Sequence, residues 1–174
     1  MRKISPRLCV LLALAAGAFG FLPMAHAADA LPQVRLNADK IAPRPIEELT
    51  GNNIVRDYSL AWQSLAEAMD QNRAELLDAY FTGFAKDRFS STVADQKKNG
   101  LRTRYIDHGH NVQAFFYSPN GDAMQLRDTA QLEIQLFDGS KMIRQENVTL
   151  HYLVIMTPGA DRWEVRSLEA VPNF

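Results

Sequence analysis

Residues 124–136, MQLRDTAQLEIQL, decide the fold of this chain, because apolar and polar side chains alternate along them with the period of a β-strand. Three other stretches between residue 103 and the C-terminus alternate in the same way. They are separated by three turn signals, Ser118-Pro119-Asn120-Gly121, Asp138-Gly139-Ser140 and Pro158-Gly159-Ala160-Asp161. The pattern predicts a curved, four-stranded antiparallel meander.

A helical pattern precedes the strands. One apolar stripe predicts an amphipathic helix over residues 52–71, and it consists of Ile54, Val55, Tyr58, Ala61, Trp62, Leu65 and Met69. Arg56 and Asp57 fall outside this stripe, on the polar face. Shorter helical segments follow until Asn99-Gly100, a typical helix stop. Because the helices come first and the strands last, the helices must cover one sheet face, which predicts an α+β fold.

Residues 1–27 have the three parts of a secretory signal peptide: a basic start, an apolar run and Ala25-His26-Ala27 before the cleavage point. The apolar run ends at Pro23, short of the roughly 20 residues that a membrane-spanning helix needs. We therefore expect a mature chain that begins at Ala28, has no membrane span and is secreted or periplasmic. A retained N-terminal anchor is the alternative.

The mature chain has the length of one ordinary domain, which we place at residues 51–174. Residues 28–50 contain three prolines and predict an extended arm. Cys9 is the only cysteine and lies in the signal peptide, so no disulfide is expected. The signal also carries three of the 19 basic residues and none of the 20 acidic ones, which leaves a formal charge of −4. Nucleic acid is therefore not an expected partner.

Asp128 is an anomaly in the first quoted stretch, because it falls on the apolar face, where an unpaired carboxylate is costly. If even-numbered residues point inward, the expected pairing sets Val112 opposite Asp128 and makes His110 its diagonal neighbour. A histidine and a carboxylate in an apolar pocket can exchange a proton with a substrate, and Tyr152 on the same face could donate to a substrate oxygen. The alternative is a structural hydrogen bond between His110 and Asp128.

Six further residues are predicted to line the pocket on this inner face: Tyr58, Trp62, His108, Val112, Glu146 and Leu150. The register behind this prediction assumes a three-residue turn at 138–140 with a glycine bulge. It places Leu150 opposite Asp128 and Glu146 opposite Leu132. Glu146 and Arg144 are expected to form an ion pair at the pocket rim.

His108-Gly109-His110 has the spacing that places two imidazoles on one strand face, as in some zinc sites. No further histidine or cysteine is positioned on that face, so we predict no metal site, and no cofactor motif is present in the sequence. The outer sheet face is polar but largely uncharged, and it could form a homodimer contact or remain solvated.

The order of elements, together with the closing pattern Arg162-Trp163, Val165 and Ser167-Leu168, resembles the nuclear-transport-factor-2-like (NTF2-like) superfamily, which includes SnoaL-like proteins. The resemblance covers residues 52–171. It implies a cone, in which a bent sheet wraps helices around a pocket, and members include isomerases, dehydratases, transport and assembly modules and noncatalytic proteins. The chain differs from the superfamily in lacking a clear short strand between the helical segments before residue 84.

These observations favour an exported, noncatalytic domain whose pocket serves small-ligand binding, with an apolar or amphipathic ligand, or protein assembly. Two alternatives remain open. One is a small isomerase or dehydratase that uses Asp128 as base with His110. The other is a partner-binding subunit of an envelope complex.

Overall fold

The computed structural model describes residues 31–174, and the predicted signal peptide lies outside this range. Six strands, two α-helices and one 3₁₀ helix form the described part of the chain. In order they are β1 (Val34–Asn37), β2 (Ala42–Pro43), α1 (Glu48–Gln71), the 3₁₀ helix (Ala74–Ala79), α2 (Gly83–Lys98), β3 (Leu101–Tyr117), β4 (Met124–Asp138), β5 (Lys141–Pro158) and β6 (Trp163–Val171).

The strands form one curved, open sheet in the order β1-β3-β4-β5-β6, with β2 also paired to β3. Strands β3 to β6 are the predicted antiparallel meander, so the α+β class is confirmed. The prediction of four strands is incomplete, because β1 and β2 add to β3 in parallel and make the sheet mixed. Both come from the segment predicted as an extended arm. Helix α1 begins at Glu48, three residues before the predicted domain boundary.

Helix α1 buries the predicted apolar stripe against the concave face of the sheet, and Ile54, Tyr58 and Leu65 are almost fully buried. Asp57, predicted to lie on the polar face, is 1% exposed. Its Oδ2 accepts the backbone N–H of Trp163 at 2.8 Å, which joins α1 to the start of β6. A buried carboxylate is tolerated there because it is hydrogen-bonded.

The segment between α1 and α2 is a 3₁₀ helix and not one of the predicted α-helical segments, so it is more tightly wound than the sequence pattern predicts. Phe81 follows it and forms an isolated parallel bridge with Val165 of β6. This bridge lies in the region where the sequence shows no clear short strand, and it is a single residue pair rather than a strand. Helix α2 ends at Lys98 with Asn99 as its C-cap, and Gly100 takes the left-handed φ of +69° that the predicted stop requires.

Bulges bend the sheet around the helices. Register shifts occur twice in the β3–β4 ladder and once in each of the β4–β5 and β5–β6 ladders. Each bulge raises the local twist and bends its strand. The resulting concave face and α1 enclose the core, and no helix of the described residues is long and apolar enough to cross a membrane.

The register between β4 and β5 corrects the prediction. The hairpin turn is the two-residue Gly139-Ser140, and the bulge lies further along, next to Leu136. Asp128 is therefore opposite Tyr152 rather than Leu150, and Glu146 is opposite Ile134 rather than Leu132. The error is two residues, so each side chain stays on its predicted face.

Candidate functional site

Asp128 is fully buried on the concave face of β4, beneath α1. Two side chains donate hydrogen bonds to its Oδ2: the Tyr58 hydroxyl at 2.8 Å and His110 Nδ1 at 2.7 Å. The β3–β4 ladder sets Val112 opposite Asp128 and His110 opposite Ala130, as predicted. The sequence pattern therefore located the contact between His110 and Asp128.

A bulge in β3 brings a second carboxylate to the same imidazole. Gly109 has a φ of +127°, which an L side chain rarely adopts, and its N–H donates to Asp107 Oδ1 at 2.7 Å. The irregularity turns Asp107 toward the core, where its Oδ2 accepts a hydrogen bond from His110 Nε2 at 2.6 Å. The backbone N–H of His110 donates to the Gln33 carbonyl at 2.8 Å. We refer to Asp107, His110 and Asp128 as the triad.

The triad holds His110 as a cation. Burial lowers the pKa of the imidazole, but the hydrogen bonds that it donates to Asp107 and Asp128, together with the negative charges of these carboxylates, outweigh burial and raise the pKa to about 9. Both ring nitrogens therefore carry protons at neutral pH and donate to the two carboxylates. Burial, and then the charge of Asp128, also raise the pKa of Tyr58 well above its usual value, so this hydroxyl stays protonated.

Aromatic rings surround the triad. The Trp62 ring lies 4.5 Å from the His110 ring and 5.5 Å from the Tyr152 ring, measured between centroids. Burial and neighbouring Tyr105 and Asp128 raise the pKa of Tyr152, which keeps it protonated. Among the described residues, Trp62 Nε1 and Asp128 Oδ1 are the two buried side-chain polar atoms without a hydrogen-bond partner.

The triad has almost no contact with solvent. The side chains of His110 and Asp128 are 0% exposed, and that of Asp107 is 18% exposed. Two shallow surface depressions lie elsewhere. One of about 260 Å³ follows β1 and the neighbouring part of β3, and one of about 230 Å³ lies between α2 and β6. Neither is lined by a triad residue.

The remaining predicted pocket residues divide between the two sheet faces. Val112 and Leu150 lie with Tyr58 and Trp62 in or against the core. His108 is exposed, because the bulge beside Gly109 removes it from the inner face, so the two histidines do not converge. Glu146 is exposed and forms the expected ion pair with Arg144, at the rim rather than inside a pocket.

Sequence reasoning missed Asp107. The prediction assumed that even-numbered residues point inward along the whole of β3, which places Asp107 outside. Gly109 was the signal that could have found it, since a glycine inside a strand pattern often marks a bulge. One extra residue before His110 reverses the alternation and brings Asp107 to the face of Asp128.

No family model matches the chain, and no curated protein matches it. Among solved structures, the intermembrane space region of the chloroplast protein ARC6 is 16% identical, with a TM-score of 0.62 over 74% of this chain and 98% of that chain. A protein described as a dehydratase candidate of the NTF2-like family, from Streptomyces avermitilis, is 13% identical, with a TM-score of 0.45 over 68% of this chain and 95% of that chain. The chain is similar in fold to NTF2-like proteins, as the sequence resemblance predicts.

At these identities the likeness concerns the fold alone. One fold can carry many unrelated activities, so function must be argued from the residues of this chain.

Proposed function

We propose that this chain is an exported, noncatalytic domain that uses the NTF2-like fold to bind another protein in an assembly of the cell envelope. One observation carries the proposal: Tyr58, His110 and Asp128 on the concave face are buried and hydrogen-bonded to one another, and the second nitrogen of His110 is bonded to Asp107. These groups hold α1 and the bulged strand β3 against β4.

The chemistry of the triad supports a structural role. A catalytic base must come within hydrogen-bond distance of the proton that it removes. Asp128 is fully buried, and its Oδ2 already accepts from Tyr58 and His110. His110 is a cation at neutral pH and has no lone pair with which to accept a proton. The triad therefore favours stability over proton transfer.

Two observations support the location. The sequence begins with the pattern of a secretory signal over residues 1–27. The solved structure with the TM-score of 0.62 is an intermembrane space region, so a fold of this shape does occur between two membranes. Both are consistent with a domain that works in the envelope.

A small isomerase or dehydratase is the second candidate. The observation that favours it is the free Oδ1 of Asp128, which lies on the concave face opposite Tyr152. For this function the pocket would have to open and admit a substrate to Oδ1. A small apolar or amphipathic ligand bound without chemistry would need the same opening.

The test is crosslinking in the intact cell. The full chain with a C-terminal tag is expressed in its own host, treated with formaldehyde and recovered from the envelope fraction. We expect one discrete adduct above the monomer mass. A variant that lacks residues 2–27 should give neither envelope recovery nor the adduct. Recovery of the full chain as a free monomer alone would contradict the proposal.

A further inference from the structure

Strand β6 is the outer strand on one side of the sheet, and within residues 31–174 only the first part of its free edge is paired. The Val165 N–H donates to the Tyr80 carbonyl at 2.8 Å, and the Thr82 N–H donates to the Val165 carbonyl at 3.0 Å. These two bonds add the short extended segment around Phe81 to β6. Helix α2 then begins at Gly83 and leaves the edge.

Beyond Arg166, no backbone segment of the described residues pairs with the edge. The bulge at Arg166 shifts by one residue the alternation of backbone groups between the two sides of β6, so the N–H and C=O of Leu168 face away from β5. The Leu168 carbonyl accepts a long hydrogen bond of 3.4 Å from Arg88 Nη1. Since backbone groups alternate along a strand, the N–H and C=O of Ala170 point the same way. Within residues 31–174, no backbone group pairs with this outward side of Leu168 and Ala170. An unpaired strand edge is a template for another strand.

Helix α2 forms the second wall of a groove along this open edge. The groove has a volume of about 230 Å³ and is lined by Phe84, Ala85, Arg88 and residues 167–170. Ala85 and Leu168 are buried below it, whereas Phe84 is 75% exposed in the first turn of α2. A groove between a free strand edge and a helix suits an extended peptide, because the edge supplies backbone hydrogen bonds and the helix supplies side-chain contacts.

The charges along the groove favour a carboxylate. Arg88 and Arg166 are exposed beside it, and neither forms an ion pair within the described residues. Glu169 is the acidic residue of the lining, and it accepts a hydrogen bond from the Ser167 hydroxyl at 3.2 Å. Lys86, on the same helix, is already paired with Asp78. Arg88 bonds a carbonyl and not a carboxylate, so two guanidinium groups without an acidic partner stand against the one carboxylate of the lining and leave an excess of positive charge.

We propose that this groove binds an extended segment of another protein as an added strand on β6, with an apolar side chain on Phe84 and a carboxylate on Arg88. The inference rests on the proposed function and names the class of partner. The arm of this chain is not the occupant, because β1 lies on the opposite side of the sheet. A second copy of the chain is an outcome that the test distinguishes.

The test uses the purified chain and random 12-residue peptides displayed on phage. A selected peptide is synthesised, labelled and titrated by fluorescence anisotropy, and its contacts are mapped by amide chemical shifts. We expect shifts at Leu168 and Ala170. Methylation of alternate peptide backbone nitrogens should weaken binding roughly tenfold, because each methyl group removes a donor to the strand edge.

Matched variants separate the groove from the rest of the surface. Phe84→Ser and Arg88→Gln should each weaken binding by roughly tenfold. Leu49→Ser is the control for the first, since Leu49 is 72% exposed on α1, and Arg144→Gln is the control for the second. Both controls should leave the affinity unchanged.

Three results would each overturn the inference. The selection could yield no peptide, the affinity could be unchanged by Phe84→Ser and by backbone methylation, or the chain could self-associate through β6. The crosslinked envelope adduct separates this failure from failure of the proposed function. Persistence of the adduct in the Phe84→Ser variant would refute the groove but leave the proposed function standing. Absence of the adduct in the wild-type chain would refute the proposed function itself.

Discussion

The concave face under α1 and the outer edge of β6 belong to one sheet, yet their polar groups differ in how far they are hydrogen-bonded. On the concave face, the triad and Tyr58 are buried and bonded to one another. At the edge, the outward backbone groups of Leu168 and Ala170 pair with no backbone group of residues 31–174, and the ring of Phe84 is 75% exposed. The difference supports a structural role for the polar residues of the concave face, and the binding role that we propose lies at the edge.

The largest expected effect comes from Asp128→Asn, which disrupts the hydrogen-bonded triad on the concave face. It removes the buried charge that faces the His110 cation, and removing one partner of a buried ion pair costs about 3–5 kcal/mol. The melting temperature should fall by roughly 10 °C. Asp138→Asn, at the exposed β4–β5 turn, is the control and should melt like the wild type. An unchanged or raised melting temperature for Asp128→Asn would favour the isomerase or dehydratase.

The second prediction concerns pH. The folded-state pKa of His110 is raised from 6.5 to about 9, so its stabilising contribution is complete below pH 6.5 and is lost as the pH rises through about 9. The loss is roughly 3 kcal/mol at most. Tyr58 and Tyr152 face the same cluster, but unfolded tyrosines titrate only near pH 10 and do not contribute in this window. Urea unfolding at several pH values measures the effect.

A His151→Gln variant is the control for the pH prediction, because His151 lies on the other face of β5 and contacts Thr129 and Phe174. Its stability should show the same fall between pH 6.5 and 9. Stability that is flat across this window in the wild type would contradict a protonated His110.

The sequence predicted the features that depend on short-range periodicity. The stripe of α1, the meander and the contact between His110 and Asp128 followed from spacings of 3.6 and 2 residues. Features that depend on one-residue irregularities in the strands were not predicted. The bulge at Gly109 reversed the positions of His108 and Asp107. The two-residue turn and the bulge near Leu136 each moved the register by one residue, so the partner of Asp128 is Tyr152 rather than Leu150.

Tertiary contacts explain the other misses. The helical spacing places Asp57 on the polar face of α1, and Asp57 is buried because the start of β6 packs against it. Residues 33–37 have no strong strand pattern, and they become β1 because the edge of β3 is free to pair with them. The groove beside Phe84 likewise exists only after β6 and α2 come together.

Asp57→Asn gives the third, intermediate effect. The substitution removes the charged acceptor of the Trp163 N–H and the ion pair with Arg56 Nε at 2.8 Å. A hydrogen bond to a charged group contributes about 1.5–3 kcal/mol, so we expect a loss of about 2 kcal/mol in the free energy of unfolding. Asp87→Asn, on the exposed surface of α2, is the control. Equal stability of the two variants would show that the junction between α1 and β6 does not depend on Asp57.

The smallest expected effect comes from Phe84→Ser, which tests the edge side of the comparison. Phe84 is 75% exposed, so its replacement should change the free energy of unfolding by less than about 0.5 kcal/mol. Chemical denaturation measures this. A loss as large as that of Asp57→Asn would mean that Phe84 stabilises the fold and would remove the contrast between the two regions.

We interpret the triad as a structural cluster built on a protonated His110. Nitrogen NMR of the His110 ring in the folded protein tests it most directly. We expect both ring nitrogens to be protonated at pH 7.5, with a titration midpoint near pH 9. A neutral ring at pH 7.5, with a midpoint below pH 7, would contradict the claim.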